Sequence, residues 1–421
     1  MNRFQLRAMG VLAGAAVTAM PMLASAGITL YEEGDKSLEI GGRLQPQYRL
    51  VDADSEGQGS DSGDDFFLRR MRFYIEGTLT KDIYGIWQVD FGGVSDDPEV
   101  KDAFINYSGL SAGEIQVGNM KVPYSRELLT SSKRQQFVER TVVGDHNFGV
   151  PDRQIGILYT AAPSDVFQVA AGVFNAGLES DLDKVDFESR VSGDPDYFGK
   201  LFAGRIDFTP LGGFKLAQGA FGEETKFGMG LNAFYWDNDS DAGFDDFEAD
   251  SSPEGEYDNV TGLGLDAAFR SGYFSADAAV QYTSAEVTND TRDFVATANG
   301  GTDFNGIGFV NNDGDAKFMT YMVKAGYMIV PSKLEFTAGF SALDLDDGYR
   351  DSAGNIISDD MDKRYTAGLN YFFNKHDAKI QLTYEIGRDV LYANDANGQV
   401  INPAGIGEDQ NTLFLQFQQV L

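Results

Sequence analysis

The chain has 421 residues, a formal net charge of −32 and no cysteine. Beyond residue 26 no stretch reaches the 18 or so consecutive apolar residues of a membrane helix, so a helical membrane protein is excluded. No disulfide framework is available, and no nucleic-acid partner is expected of so acidic a chain.

Residues 1–26 have the form of a secretory signal peptide. Arg3 and Arg7 make the positive end, 9–19 the apolar middle, and Ala24-Ser25-Ala26 the small-residue cleavage site. Cleavage would leave residues 27–421, with the charge moving from −32 to −34 because both arginines leave. The full chain is rich in Gly, Phe and Tyr (49, 32 and 19) and poor in Trp and Pro (2 and 11). Much of it falls into segments of roughly ten residues with apolar side chains at every second position. That is the period of a strand with one apolar face, and the form of a transmembrane barrel.

Segment 37–51 puts Leu38, Ile40, Leu44, Tyr48 and Leu50 on one face and Glu39, Arg43, Gln45, Gln47 and Arg49 on the other. Segment 66–79 sends Phe67, Met71, Phe73, Ile75 and Leu79 outward and Arg70, Arg72, Tyr74 and Glu76 inward, with Arg69 in the outer phase. Strands at 83–91, 100–107 and 114–120 follow. The alternation then stops at 121–140, KVPYSRELLTSSKRQQFVER, which holds five basic residues and two acidic ones. A locally basic loop in so acidic a chain fits a loop folded into a barrel mouth, facing passing anions. A solvated surface loop is the plainer alternative.

Alternation resumes at 155–159, 167–173, 201–208, 227–235, 260–269, 273–283, 318–329, 334–343, 365–373, 379–386 and 412–421. Segment 214–221 would make a seventeenth strand. Barrels of this kind have short periplasmic turns, long outer loops and an even strand count. If 214–221 crosses, every later long loop falls on the periplasmic side. Residues 209–226 are therefore expected to form an enlarged periplasmic turn. The expected fold is all-β, a 16-stranded antiparallel transmembrane barrel with an inward-folded third loop, wide enough for an aqueous channel.

Several runs, in order, resemble the phosphate-selective porin O and P family. They are Arg69-Arg70-Met71-Arg72-Phe73, Val100-Lys101-Asp102-Ala103-Phe104, Val117-Gly118-Asn119-Met120-Lys121-Val122-Pro123, Leu128-Leu129-Thr130-Ser131-Ser132 and Phe137-Val138-Glu139-Arg140. The resemblance implies a homotrimeric outer-membrane porin, set in lipid and lipopolysaccharide, whose third loop and basic residues draw small anions such as phosphate to a constriction.

The residues themselves supply candidates. Lys133 and Arg134, then Arg140 and Lys121, lie on the basic segment; Arg43, Arg70, Arg72, Arg205 and Lys324 have the inward phase, as do Arg49, Arg364 and Lys379. Arginine offers a planar fork of donors that suits phosphate, and rings of Arg or Lys are the usual device of an anion pore. The opposing expectation is that inward Glu39, Glu76, Asp90, Asp207 and Glu385 neutralise them.

No cofactor and no metal site is expected. Asp237, Asp239, Asp241, Asp245 and Glu248 have the spacing of a calcium loop, but Ala242 stands where that loop needs glycine, so an acidic solvated loop is expected. His146 and His376 have no motif-spaced nucleophile, so no enzyme is expected. A general or cation-preferring pore and a blocked structural barrel are the alternatives to an anion channel.

Overall fold

The computed structural model describes residues 27–55, 59–93, 98–178, 184–189, 191, 199–213, 215–238, 257–288, 309–311, 314–346, 349–350, 356–358, 361–390 and 408–421. The signal-peptide segment and most of the calcium-like loop, Asp239 to Glu248, lie outside the described residues.

A short strand β1 (Ile28–Glu33) precedes the barrel. The barrel strands are β2 (Lys36–Ser55), β3 (Gly59–Thr80), β4 (Ile83–Asp90), β5 (Glu99–Leu110), β6 (Gly113–Lys121), β7 (Arg153–Ser164), β8 (Phe167–Leu178), β9 (Gly199–Phe208) and β10 (Glu223–Asp237). They continue as β11 (Tyr257–Gly272), β12 (Phe274–Val287), β13 (Asp315–Val330), β14 (Leu334–Leu345), β15 (Asp362–Asn374), β16 (Ala378–Val390) and β17 (Glu408–Val420). Each pairs antiparallel with the next, and β2 pairs with β17 from Arg43↔Val420 to Asp54↔Asp409, which closes a 16-stranded ring. Closure leaves no unpaired edge in a medium without water.

The strand faces follow the alternation. Val323, Tyr327 and Ile329 of β13 point outward, with more than half their surface exposed, while Thr320 and Lys324 point inward and are 1 % exposed. Outward aromatic side chains pair near the strand ends, as in Phe167–Phe208 and Tyr371–Phe373, ring centroids 5.0 Å apart in each case. Both pairs lie at the short-turn end of the barrel, where such a girdle marks a membrane interface.

Two features depart from the expected pattern. β1 was not expected: it forms a hairpin with β2, Ile28 opposite Ile40, on the edge that β17 occupies farther along. Leu421 exchanges two backbone hydrogen bonds with Gly42 (3.1 and 2.9 Å), so β17 and β1 lie end to end. The second departure is a bulge in β3. Gln45 pairs with Arg70 but Pro46 pairs with Leu68, which leaves Arg69 unpaired. One extra residue reverses the faces. Phe66 and Leu68 therefore face outward in place of Phe67, and Arg69 faces the interior, contrary to the assignment from simple alternation.

β9 pairs with β10 along nine successive residue pairs, Lys200↔Asp237 to Phe208↔Met229. Residues 209–222 thus connect neighbouring strands and do not cross. An epitope tag at Gly213 is expected to be invisible to antibody on intact cells and visible after permeabilisation. Labelling of intact cells there would overturn the strand count.

Candidate functional site

Residues 122–152, between β6 and β7, fold into the barrel. Their apolar side chains Val122, Tyr124, Leu128, Val142, Val143 and Phe148 are buried in one cluster with inward Leu158, Phe174, Phe234, Trp236, Phe318 and Met322 of the wall. This stretch of wall is apolar on its inner face, which an open aqueous lumen would not tolerate. The loop covers it, and each side chain removed from water contributes about 1.5–3 kcal/mol.

Polar contacts fix the loop against the wall. Ser125, at φ 47°, caps the one-turn helix α1 (Arg126–Leu129) by accepting from the Leu128 amide. The backbone N–H of Arg126 donates to Asp266 (3.3 Å), and its guanidinium lies 3.7 Å from Asp277. Glu127 receives the Lys324 ammonium at 2.5 Å, both side chains being 1 % exposed. Farther on, four consecutive carbonyls are each bonded. Gln418 Nε2 donates to Lys133 O (3.0 Å) and the Gln218 amide to Arg134 O (3.0 Å). Lys379 and Gln381 donate to Gln135 O (2.8 and 3.2 Å), and Asn370 and Gln381 to Gln136 O (2.9 and 3.1 Å). Carbonyl dipoles that would repel anions are occupied along 133–136.

The loop leaves an opening toward β2–β6. A cavity of ≈ 330 Å³ lies there, lined by Arg43, Arg72, Lys81, Lys121, Lys133 and Arg153 together with Asp82, Asp102 and Glu114. Six basic residues against three acidic ones make it cationic, in a chain whose total is −32. Arg43 stands directly across the strands from Arg72. Like charges opposite one another destabilise a sheet, so stability does not account for them. Arg72 is balanced by Asp90 at 2.6 Å and Arg153 by Asp102 at 2.9 and 3.1 Å. Arg43, 7 % exposed, has no hydrogen-bond partner at Nε among the described residues.

The other expected residues divide. Arg70 lies at 3.5 Å from Glu139, and Arg69 grips the same carboxylate at 2.8 and 3.1 Å. Sequence reasoning missed Arg69 because a bulge cannot be read from two adjacent arginines. Lys121 donates to the carbonyls of Leu128 and Leu129, and Arg140 to those of Leu128 and Thr130, so both close the end of α1. Arg134 is 9 % exposed and has Asp377 as its opposite charge.

Arg205 and Lys324 correct the expectation. Arg205 is held by both Asp207 and Asp266 at 2.6–2.8 Å, and Lys324 is spent on Glu127. Buried carboxylates beside them cancel their charge, so they brace the structure and leave no positive charge for a passing ion. Arg364 likewise sits on Asp362 at 2.9 Å.

A model of the phosphate-selective porin O and P family matches residues 38–419. Porin O of Pseudomonas aeruginosa is 26 % identical over 263 residues, which are 58 % of this chain and 57 % of that protein. The alignments with curated relatives thus span about half of those proteins. Among solved structures, OmpF of Salmonella typhi in complex with daunomycin aligns with a TM-score of 0.55 at 14 % identity, over 93 % of this chain and 100 % of that one. The trimer form of OmpT, an outer membrane protein of Vibrio cholerae, gives 0.53 at 12 % identity, over 91 % and 100 %. The closed barrel and the inserted loop have the shape of an outer-membrane channel, and the match over nearly all of β2 to β17 places this chain in the phosphate-selective porin O and P family.

Proposed function

We propose that the barrel is a water-filled channel for passive diffusion of small anions, phosphate or pyrophosphate among them, across the outer membrane. The observation that carries this reading is the cationic cavity, with Arg43 and Arg72 facing each other across the sheet and Lys133 entering from the loop. The family name and the relative called Porin O support it. Arg134 and Arg70 lie beside the path and add to its positive field. Arginine's fork of donors matches tetrahedral oxyanions, and it stays charged at any working pH. Assembly as a homotrimer accords with the neighbour described in its trimer form.

The test is conductance in planar bilayers under a salt gradient, with phosphate, pyrophosphate and chloride in competition. A reversal potential on the anion side, with phosphate blocking chloride current, is the expected result. A cation-side potential would make the channel a general pore, and absence of conductance would make it a structural barrel.

A further inference from the structure

The turn between β9 and β10 enters the lumen. Gln218 is 2 % exposed and Ala220 is fully buried. The Gln218 amide donates to Arg134 O at 3.0 Å, and its side-chain Oε1 accepts from the Gln136 amide at 2.8 Å. Its own carbonyl pairs with His376 Nε2 at 2.9 Å, and Arg270 donates to Ala217 O at 2.7 Å. Phe221 packs edge-on against Phe372 and His376, with centroids at 4.9 and 5.2 Å. Gly219, at φ +78°, passes so close to the wall that a Cβ would lie 3.2 Å from Glu335 Oε1. Backbone in the left-handed region beside a carboxylate suits glycine.

The distance spanned is informative. The turn leaves from β9 and returns to β10, yet it touches the β15–β16 connection, five places farther round a sixteen-strand ring from β10. With the outer face of the ring in lipid, the turn joins those points across the barrel's opening, and the burial of Gln218 and Ala220 sets it within that opening. The turn meets the third loop at Arg134 and Gln136, on either side of Gln135, next to Lys133.

We propose that residues 215–222 form a second inserted loop, which supports the third loop from the periplasmic end, with Gln218 the positioning residue that holds Lys133 and Arg134 at the ion path. The turn narrows the periplasmic half of the lumen and ties the loop's 134–136 backbone to the opposite wall. This rests on the cavity above being the ion path, but not on its anion preference.

Two variants in planar bilayers test it. Replacing 211–220 by a four-residue Gly/Ser turn is expected to raise single-channel conductance about twofold, since conductance follows pore width. Gln218→Met, which removes the acceptor for the Gln136 amide at nearly constant volume, is expected to raise open-channel current noise severalfold with little change in mean conductance. Gln218→Glu keeps the acceptor and is expected to stay quiet. The temperature at which each variant loses its compact gel mobility shows that the barrel is intact. A folded short-turn variant with unchanged conductance overturns the proposal. So does a Gln218→Met channel as quiet as the parent, which decides the matter if the short-turn variant does not fold. A parent channel that prefers cations would sink the anion reading and leave the conductance and noise comparison standing.

Discussion

Channels with both Arg43 and Lys133 changed to glutamine are expected to lose most of their anion preference, with a fall of at least about tenfold in the anion-to-cation permeability ratio. A tenfold ratio needs only about 1.4 kcal/mol. A unit charge at roughly 4 Å acts on a passing ion by about 1 kcal/mol in water and about 4 kcal/mol at an effective dielectric near 20. Both side chains line a narrow cavity and are 7 % and 5 % exposed, so the stronger regime is the relevant one. A charge farther off than a Debye length, about 10 Å at 0.1 M salt, is largely screened. A double change of two acids of the calcium-like loop, Asp245 and Asp246 to Asn, is expected to move the reversal potential much less. Equal shifts in the two double variants would refute the assignment.

The same lysine gives a pH dependence. Burial, and next the neighbouring Arg134, pull the Lys133 ammonium down to about 8 from its usual 10.5. A lysine is charged below its pKa and neutral above it. Anion preference is therefore expected to fall as pH rises from 7 to 9, and this fall is expected to be absent from the Lys133→Gln channel. A titration identical in the two channels would remove Lys133 from the path.

Period and loop length made most of the barrel legible. A period of two gives the faces of β13 at once, and the parity of long and short connections keeps 209–226 from being a seventeenth strand. What was not legible depends on contacts distant in sequence. The bulge at Arg69 turns on one extra residue, and its partner Glu139 is 70 residues away. The apolar inner wall at Phe174, Phe234 and Phe318 reads as ordinary strand alternation until a loop is known to cover it. Inward phase found Arg205 and Lys324 correctly but could not show that Asp266 and Glu127 neutralise them. Parity likewise kept 209–226 from being a further strand, but it did not show that 223–226 already open β10, and it said nothing of 209–222 turning inward.

The strongest test of the loop's anchorage is the pair Glu127–Lys324. Lys324→Met is expected to free the loop from the β13 wall. It leaves a carboxylate 1 % exposed with the hydroxyl of Thr141 as its remaining side-chain hydrogen-bond donor among the described residues. Breaking one side of a buried ion pair costs about 3–5 kcal/mol. Lys324 also lies 5.7 Å from the Phe137 ring, so the same change loosens a second loop residue. The barrel is closed by its own strand ladder and is expected to survive, because none of those hydrogen bonds involves these side chains. The cost then appears as release of 122–152 into the lumen, read as unstable conductance and as protease cleavage within the loop. Replacing both partners, Glu127→Leu with Lys324→Met, removes both buried charges together and is expected to restore a quiet channel and most of the lost stability. If the double variant is as unstable as the single one, the ion pair is not what holds the loop, and the apolar cluster around Tyr124 and Phe148 holds it alone.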